Sequence, residues 1–170
     1  MIQIVVTALK GGAGVSTLVS GLSQAAAAEA LDVLCIDHDD QDLLKYSFGM
    51  VGLADDGEMR NGIPRIRLKG PGERVSGAET ADLVVIDLPR ARHDLSELVF
   101  DQADAVVLIV PVTAASLAQA PAIKRFLAQG ENRFLLLNQL DPRVPLKKAA
   151  SAFLQAEFAD RIIGKIRQDG

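Results

Sequence analysis

Lys10-Gly11-Gly12-Ala13-Gly14-Val15-Ser16-Thr17 is a run whose residue types can hold a phosphate group. Glycines let backbone N–H groups approach an anion closely, and a helix starting directly after them adds partial positive charge. The usual phosphate loop reads Gly-x-x-x-x-Gly-Lys-[Ser/Thr], with the lysine on the terminal phosphates and the hydroxyl on Mg²⁺. Gly14 and Ser16 fit that spacing, while Leu9 stands at the first glycine and Val15 at the lysine. A different lysine, Lys10, precedes the glycine pair. The loop keeps its shape and lacks its usual charge.

Carboxylates supply the second half of such a site. Asp37, Asp39 and Gln41 follow the apolar run Val33–Ile36, and Asp87 follows Leu83–Ile86. A hard cation bound to phosphates takes oxygen partners, so a carboxylate ending a buried strand can hold water around Mg²⁺. Singly, an aspartate there is a turn former or helix cap. Two of them together with a glycine loop point to a nucleotide site. Asn138-Gln139 ends a further apolar run, Phe134–Leu137. His38 and His93 read as loop and surface residues, and Cys35, the single cysteine, reads as a small core residue.

The elements that must carry these residues are legible as short branched apolar runs. Ile2–Ala8, Val33–Ile36, Leu83–Ile86, Ala105–Val110 and Phe134–Leu137 predict strands, Ile162–Ile166 a weaker one, and Ile63–Leu68 an edge strand. Leu18–Ala30, Leu95–Asp101, Ala115–Gln129 and Leu146–Phe158 predict helices between them, with Pro121 at a helix start or kink. The alternation predicts an α/β fold, a mostly parallel sheet with helices on both faces, in which ligands bind at the strands' carboxyl ends. At 170 residues the chain is expected to be one domain, residues 1–170, with 49–77 a surface excursion.

Composition narrows the class. The chain is 49% hydrophobic and has no tryptophan, so its core is built from aliphatic residues, as strands covered on both faces require. A net charge of −4 gives no general attraction to nucleic acid or anionic lipid. Arg143, Lys147, Lys148, Arg161, Lys165 and Arg167 are diluted by nearby acids and read as a solvated face. Neither a signal-peptide layout nor a membrane-length apolar run is visible, and a cytoplasmic protein is expected.

Taken together these motifs resemble the ParA/MinD-type deviant Walker ATPases, whose loop is Lys-Gly-Gly-x-Gly-Lys-[Ser/Thr]-[Ser/Thr]. Lys10 to Thr17 match it except at Val15. Asp37, Asp39 and Gln41 match a second-strand ending Asp-x-Asp-Pro-Gln except at Asp40, and Asp87 and Pro89 match an Asp-x-Pro ending. The runs Ala103–Pro111 and the strand ending at Asn138 are also similar. Within the superfamily, Leu43–Gly49, Leu137–Arg143 with Leu146, and Ile166–Asp169 resemble the cellulose-biosynthesis members, BcsQ (YhjQ). The Asp87-Leu88-Pro89-Arg90 ending and Ser116-Leu117 resemble the pilus-localisation members, CpaE/TadZ.

The resemblance implies ATP and Mg²⁺ as cofactors. It places Gly11, Gly12, Ala13, Gly14, Val15, Ser16 and Thr17 around the phosphates, and Ser16 on Mg²⁺ with Asp37 and Asp87 behind bridging water. Asp39 would orient the attacking water, Lys10 would reach a partner subunit's nucleotide, and Asn138 would read the adenine edge. It further implies a homodimer and a protein partner in a membrane-associated secretion or cellulose synthase complex, the protein meeting the inner membrane only through partners. Val15 cannot pair with phosphate oxygens; losing one partner of such a charge-assisted contact costs about 2–5 kcal/mol. Phosphoryl transfer depends on positioning and charge neutralisation, so slow or absent hydrolysis is expected. The rivals are an active ATPase switch for pilus, plasmid or chromosome positioning, and a nucleotide-free scaffold. In the family several helices usually follow a stretch like Ile166–Asp169, and a short form without them is expected here.

Overall fold

The computed structural model describes residues 1–41, 44–49, 63, 65–70, 80–89 and 93–168, the side chains of 93–96 excepted. Most of the expected excursion, 49–77, and Arg90 and Asp169 lie outside the described residues. The strands are β1 (Ile2–Ala8), β2 (Val33–Asp37), β3 (Ile66–Lys69), β4 (Leu83–Leu88), β5 (Ala105–Pro111), β6 (Arg133–Leu140) and β7 (Ile162–Arg167). They form one sheet in the order β3-β2-β4-β1-β5-β6-β7. Every pairing is parallel.

The helices are α1 (Val15–Ala28), α2 (Leu44–Ser47), α3 (His93–Gln102), α4 (Ala114–Ala118), α5 (Ala120–Ala128) and α6 (Pro145–Phe158). β1 is followed by a crossover leftward to β2, whereas β4 is followed by one rightward to β5. With right-handed crossovers, α1 falls on one face and α3, α5 and α6 on the other. The core divides accordingly. Val6, Val33, Cys35 and Val85 pack with Val19 and Ala26 of α1. Val5, Leu34, Ile86 and Leu108 pack with Ile123 of α5 and Leu154 of α6. Successive strand residues supply the two faces, as a doubly covered sheet demands.

Three expectations are refined. α1 starts at Val15, directly on the glycine loop, and not at Leu18. The edge strand begins only at Ile66, because Arg65 turns the chain with φ 72°. The 115–129 helix is two helices meeting at Gln119. Pro121 in the first turn of α5 has no N–H to donate back to Leu117, so α4 cannot run on. The short α2 was not anticipated.

Leu135 is fully buried in β6, whereas Ile163 of β7 is 57% exposed. Leu135→Ala is expected to lower the unfolding free energy by about 2–5 kcal/mol. Ile163→Ala should change it by no more than about 0.5 kcal/mol. Denaturant titration of both variants checks the assignment of the core.

Candidate functional site

The loop between β1 and α1 takes its shape from two glycines. Gly12 has φ 72° and Gly14 φ 97°, conformations that side chains disfavour. A Cβ on Gly14 would also lie 2.7 Å from Nδ2 of Asn138. The N–H of Leu18 donates to the Gly14 carbonyl and so opens α1 (3.0 Å), but no side chain caps the helix and its first turn carries no acid. The N–H groups of that turn have no partners within the helix and aim outward, where an anion would be favoured.

Val15, the first residue of α1, packs its side chain against the α1-side core. The position that usually sends a cation toward phosphate supplies an apolar contact here. Ser16 is half-buried and Thr17 exposed. Lys10 is half-buried in the loop.

Beneath the loop, β2 and β4 bring Asp37 and Asp87 into register as neighbours. Both are buried, Asp37 at 1% and Asp87 at 2% exposure. Asp37 holds the turn that follows it: Oδ1 accepts from the Asp39 N–H (2.8 Å) and Oδ2 from the Leu44 N–H (3.3 Å). Asp39 in turn accepts from the Gln41 N–H through Oδ1 (3.0 Å). Asp87 is different. Its Oδ2 is buried with no hydrogen-bond partner. Burial pushes the Asp87 carboxyl up to about 7; the Ser16 hydroxyl draws it down, and the Asp37 and Asp39 charges raise it further.

A buried carboxyl with one orphaned oxygen, near other acids and bonded by a serine hydroxyl, suits a divalent cation. Among the described residues no three His, Cys, Asp or Glu side chains gather closely enough to hold a metal by themselves. Such a cation would take its remaining oxygens from phosphate and water. The residues therefore fit Mg²⁺ arriving with a nucleotide, and Ser16 and Asp87 are the side chains that would hold and screen it.

From the other side, the end of β6 braces the loop. Asn138 donates Nδ2–H to the Ala13 carbonyl (2.8 Å), and its Oδ1 accepts from the Gln139 N–H (2.8 Å). Gln139 donates Nε2–H to the Gly12 carbonyl (3.3 Å) with its own backbone in the left-handed region, φ 58°. Lys147 of α6 donates to the Gln139 carbonyl (3.0 Å) and to Oε1 of Gln168 (2.6 Å). Each of the two Asn138 side-chain atoms has capacity for one further hydrogen bond.

The structure thus brings Gly11 to Thr17, Asp37, Asp39, Asp87 and Asn138 to one end of the sheet. Gln139 and Lys147 were missed as site residues; a polar pair ending an apolar strand was the available signal for the first. Three further cations of the expected basic face have contacts of their own. Arg143 pairs with Asp141 (2.9 Å), Lys165 donates to Gln155, and Arg161 donates to the Glu131 carbonyl.

A family model described as the CobQ/CobB/MinD/ParA nucleotide binding domain matches residues 4–170. The chain belongs to this family. Its fold is similar to that of MinD in the MinC:MinD cell division protein complex of Aquifex aeolicus, with TM-score 0.76 and 19% identity over 99% of this chain and 82% of that one. It is also similar to a putative plasmid partition protein (BB_S35) of Borrelia burgdorferi B31 bound to AMPPNP, with TM-score 0.71 and 15% identity over 99% and 87%. A cobyrinic acid a,c-diamide synthase of Mycobacterium smegmatis, with a bound ATP analog and magnesium, gives TM-score 0.64 and 16% identity over 96% and 84%. No curated protein sequence matches the chain. Among the described residues, no helix of this family member is long and apolar enough to cross a membrane.

Asp87 supplies a pH test on the ligand-free protein. Its folded pKa lies above the usual carboxylate value, so the folded state holds the extra proton between about pH 4 and pH 7. That contribution to stability is fully present below the unfolded pKa and is lost as pH rises through about 7. Asp87→Asn is expected to flatten the decline in melting temperature across this window. An unchanged slope would mean Asp87 is already ionised.

Proposed function

We propose that this chain binds ATP with Mg²⁺ and acts as a regulatory or positioning subunit with slow or absent hydrolysis. The observation that carries the reading is the buried Asp87 carboxyl, one oxygen orphaned and the group bonded by Ser16 in the uncapped first turn of α1. In this reading the amides of Gly11 to Thr17 cradle the phosphates, Ser16 holds Mg²⁺, and Asp87 and Asp37 hold its water. Asp39 orients the attacking water, Asn138 pairs with the adenine edge, and Lys10 reaches the partner's nucleotide in a homodimer. The described part of the chain acts as one nucleotide-binding unit. Solved relatives of this fold carry AMPPNP, or an ATP analog with magnesium, which supports the choice of ligand.

Weak turnover follows from Val15. With the usual lysine replaced and its position turned into the core, the loop has only amides and the metal to balance the terminal phosphates. MinD, a cell division protein solved in complex with MinC, supports a role exercised through a protein partner. The likeness of Leu43–Gly49 and Leu137–Arg143 to cellulose-biosynthesis members favours a partner in a membrane-associated cellulose secretion complex, with the protein itself cytoplasmic. Lys10 and Asp39, both present at the site, are what favour the second reading, an active ATPase switch.

Calorimetry separates these. ATP should bind in the presence of Mg²⁺, and Val15→Lys should tighten binding by about tenfold or more, that is at least about 1.4 kcal/mol. Hydrolysis by the natural chain should stay near background and be indifferent to Asp39→Ala. Turnover well above background that disappears with Asp39→Ala would establish the switch instead. Absence of ATP binding in both the natural chain and Val15→Lys would overturn the nucleotide reading.

A further inference from the structure

The sheet face opposite α1 holds a cavity of about 710 Å³ between α3 and α5. We propose that it is a second ligand site, one for a small organic anion whose apolar body lies against Phe100 and Leu108 and whose head meets Arg133. Its volume falls in the range of small-molecule sites. The proposal is independent of the nucleotide reading.

Arg133 is the deciding residue. It opens β6, is only 6% exposed, and lines the cavity. Its guanidinium lies 5.1 Å from the ring centroids of both Phe100 and Phe126, which meet edge to face. Nη1 is accounted for: it donates to Oε1 of Gln129 (2.6 Å) and to the Phe126 carbonyl at the end of α5 (3.4 Å). Nε is buried with no partner, beside Gly130 and shut off from the open space of the cavity. No carboxylate among the described residues ion-pairs with this group. Burial lowers its pKa, while Asp101 and Glu97 pull the other way without touching it. An arginine stays charged in a protein, and a buried cation whose counter-charges do not touch it is costly.

A structural role as the cap of α5 explains Nη1 and leaves the rest of the guanidinium unexplained. An anionic head on the cavity side answers the remaining charge. Glu97, Asp101 and Arg125 also line the cavity, but all three are exposed to water. Their fields are screened there, so the desolvated guanidinium decides which ligand is held. The wall also includes Leu9 and Leu88, the neighbours of Lys10 and Asp87. An occupant therefore touches, from behind, the two strand ends that carry the glycine loop and the buried carboxylate.

The test is an NMR titration of the ¹⁵N-labelled, ligand-free chain, following the Arg133 Nε–H signal assigned through Arg133→Lys. Benzoate and phenyl phosphate are the probes, carried to about 10 mM so that a millimolar dissociation constant saturates. Saturable shifts of Nε–H and of the Phe100 ring are expected, with neutral benzamide binding at least about tenfold more weakly, a difference of about 1.4 kcal/mol. Ala122→Trp, which fills the cavity from a half-exposed wall position, should abolish the response while leaving the rest of the spectrum folded. Non-saturating shifts, an equal response to benzamide, a response to inorganic phosphate as strong as to phenyl phosphate, or shifts that survive Ala122→Trp would each overturn the proposal.

Discussion

Two carboxylates buried side by side organise this molecule. Asp37 and Asp87 end adjacent parallel strands at the same level, each almost fully shielded from water. Like charges in that position cannot both persist without compensation. Asp37 obtains it from two backbone N–H groups, and in doing so shapes the turn that presents Asp39. Asp87 has no comparable set, and its carboxyl is pushed up to about 7. These surroundings suit a cation, and the uncapped turn of α1 would favour the anion that such a cation accompanies.

The loop joining these two halves is held from outside itself. Amides from Asn138 and Gln139 take the carbonyls of Ala13 and Gly12, and Lys147 fastens Gln139 by its own carbonyl. A phosphate loop without its lysine has lost a charge but not this support. Preorganised amides can still bind an anion, whereas transition-state charge is left with less to balance it. In the proposed reading, binding and turnover are therefore separable.

Much of this was visible in the residues themselves. Branched apolar runs of strand length, each followed by a turn or a helical stretch, led directly to the parallel sheet and to the positions of Asp37, Asp87 and Asn138. Their place at the strand ends followed because a strand's end is marked by the change from apolar to polar. Side-by-side placement of Asp37 and Asp87 was not visible, because it arises from β4 inserting between β2 and β1, a matter of topology. Gln139 reaches Gly12 only through a left-handed backbone that nothing local announces. Lys147 looked like one of several surface cations. Arg133 gave no signal at all: the phenylalanines that enclose it lie 33 and 7 residues before it.

Asp87, Ser16 and the first turn of α1 are proposed to form one pocket for a triphosphate and its metal. Crystals grown with AMPPNP and Mg²⁺ test it most directly. The β- and γ-phosphates should rest on the amides of Gly11 to Thr17, with the ion on the Ser16 hydroxyl and its water facing Asp87. A nucleotide found elsewhere on the protein, or the Asp87 Oδ2 still unpartnered beside a bound nucleotide, would contradict it.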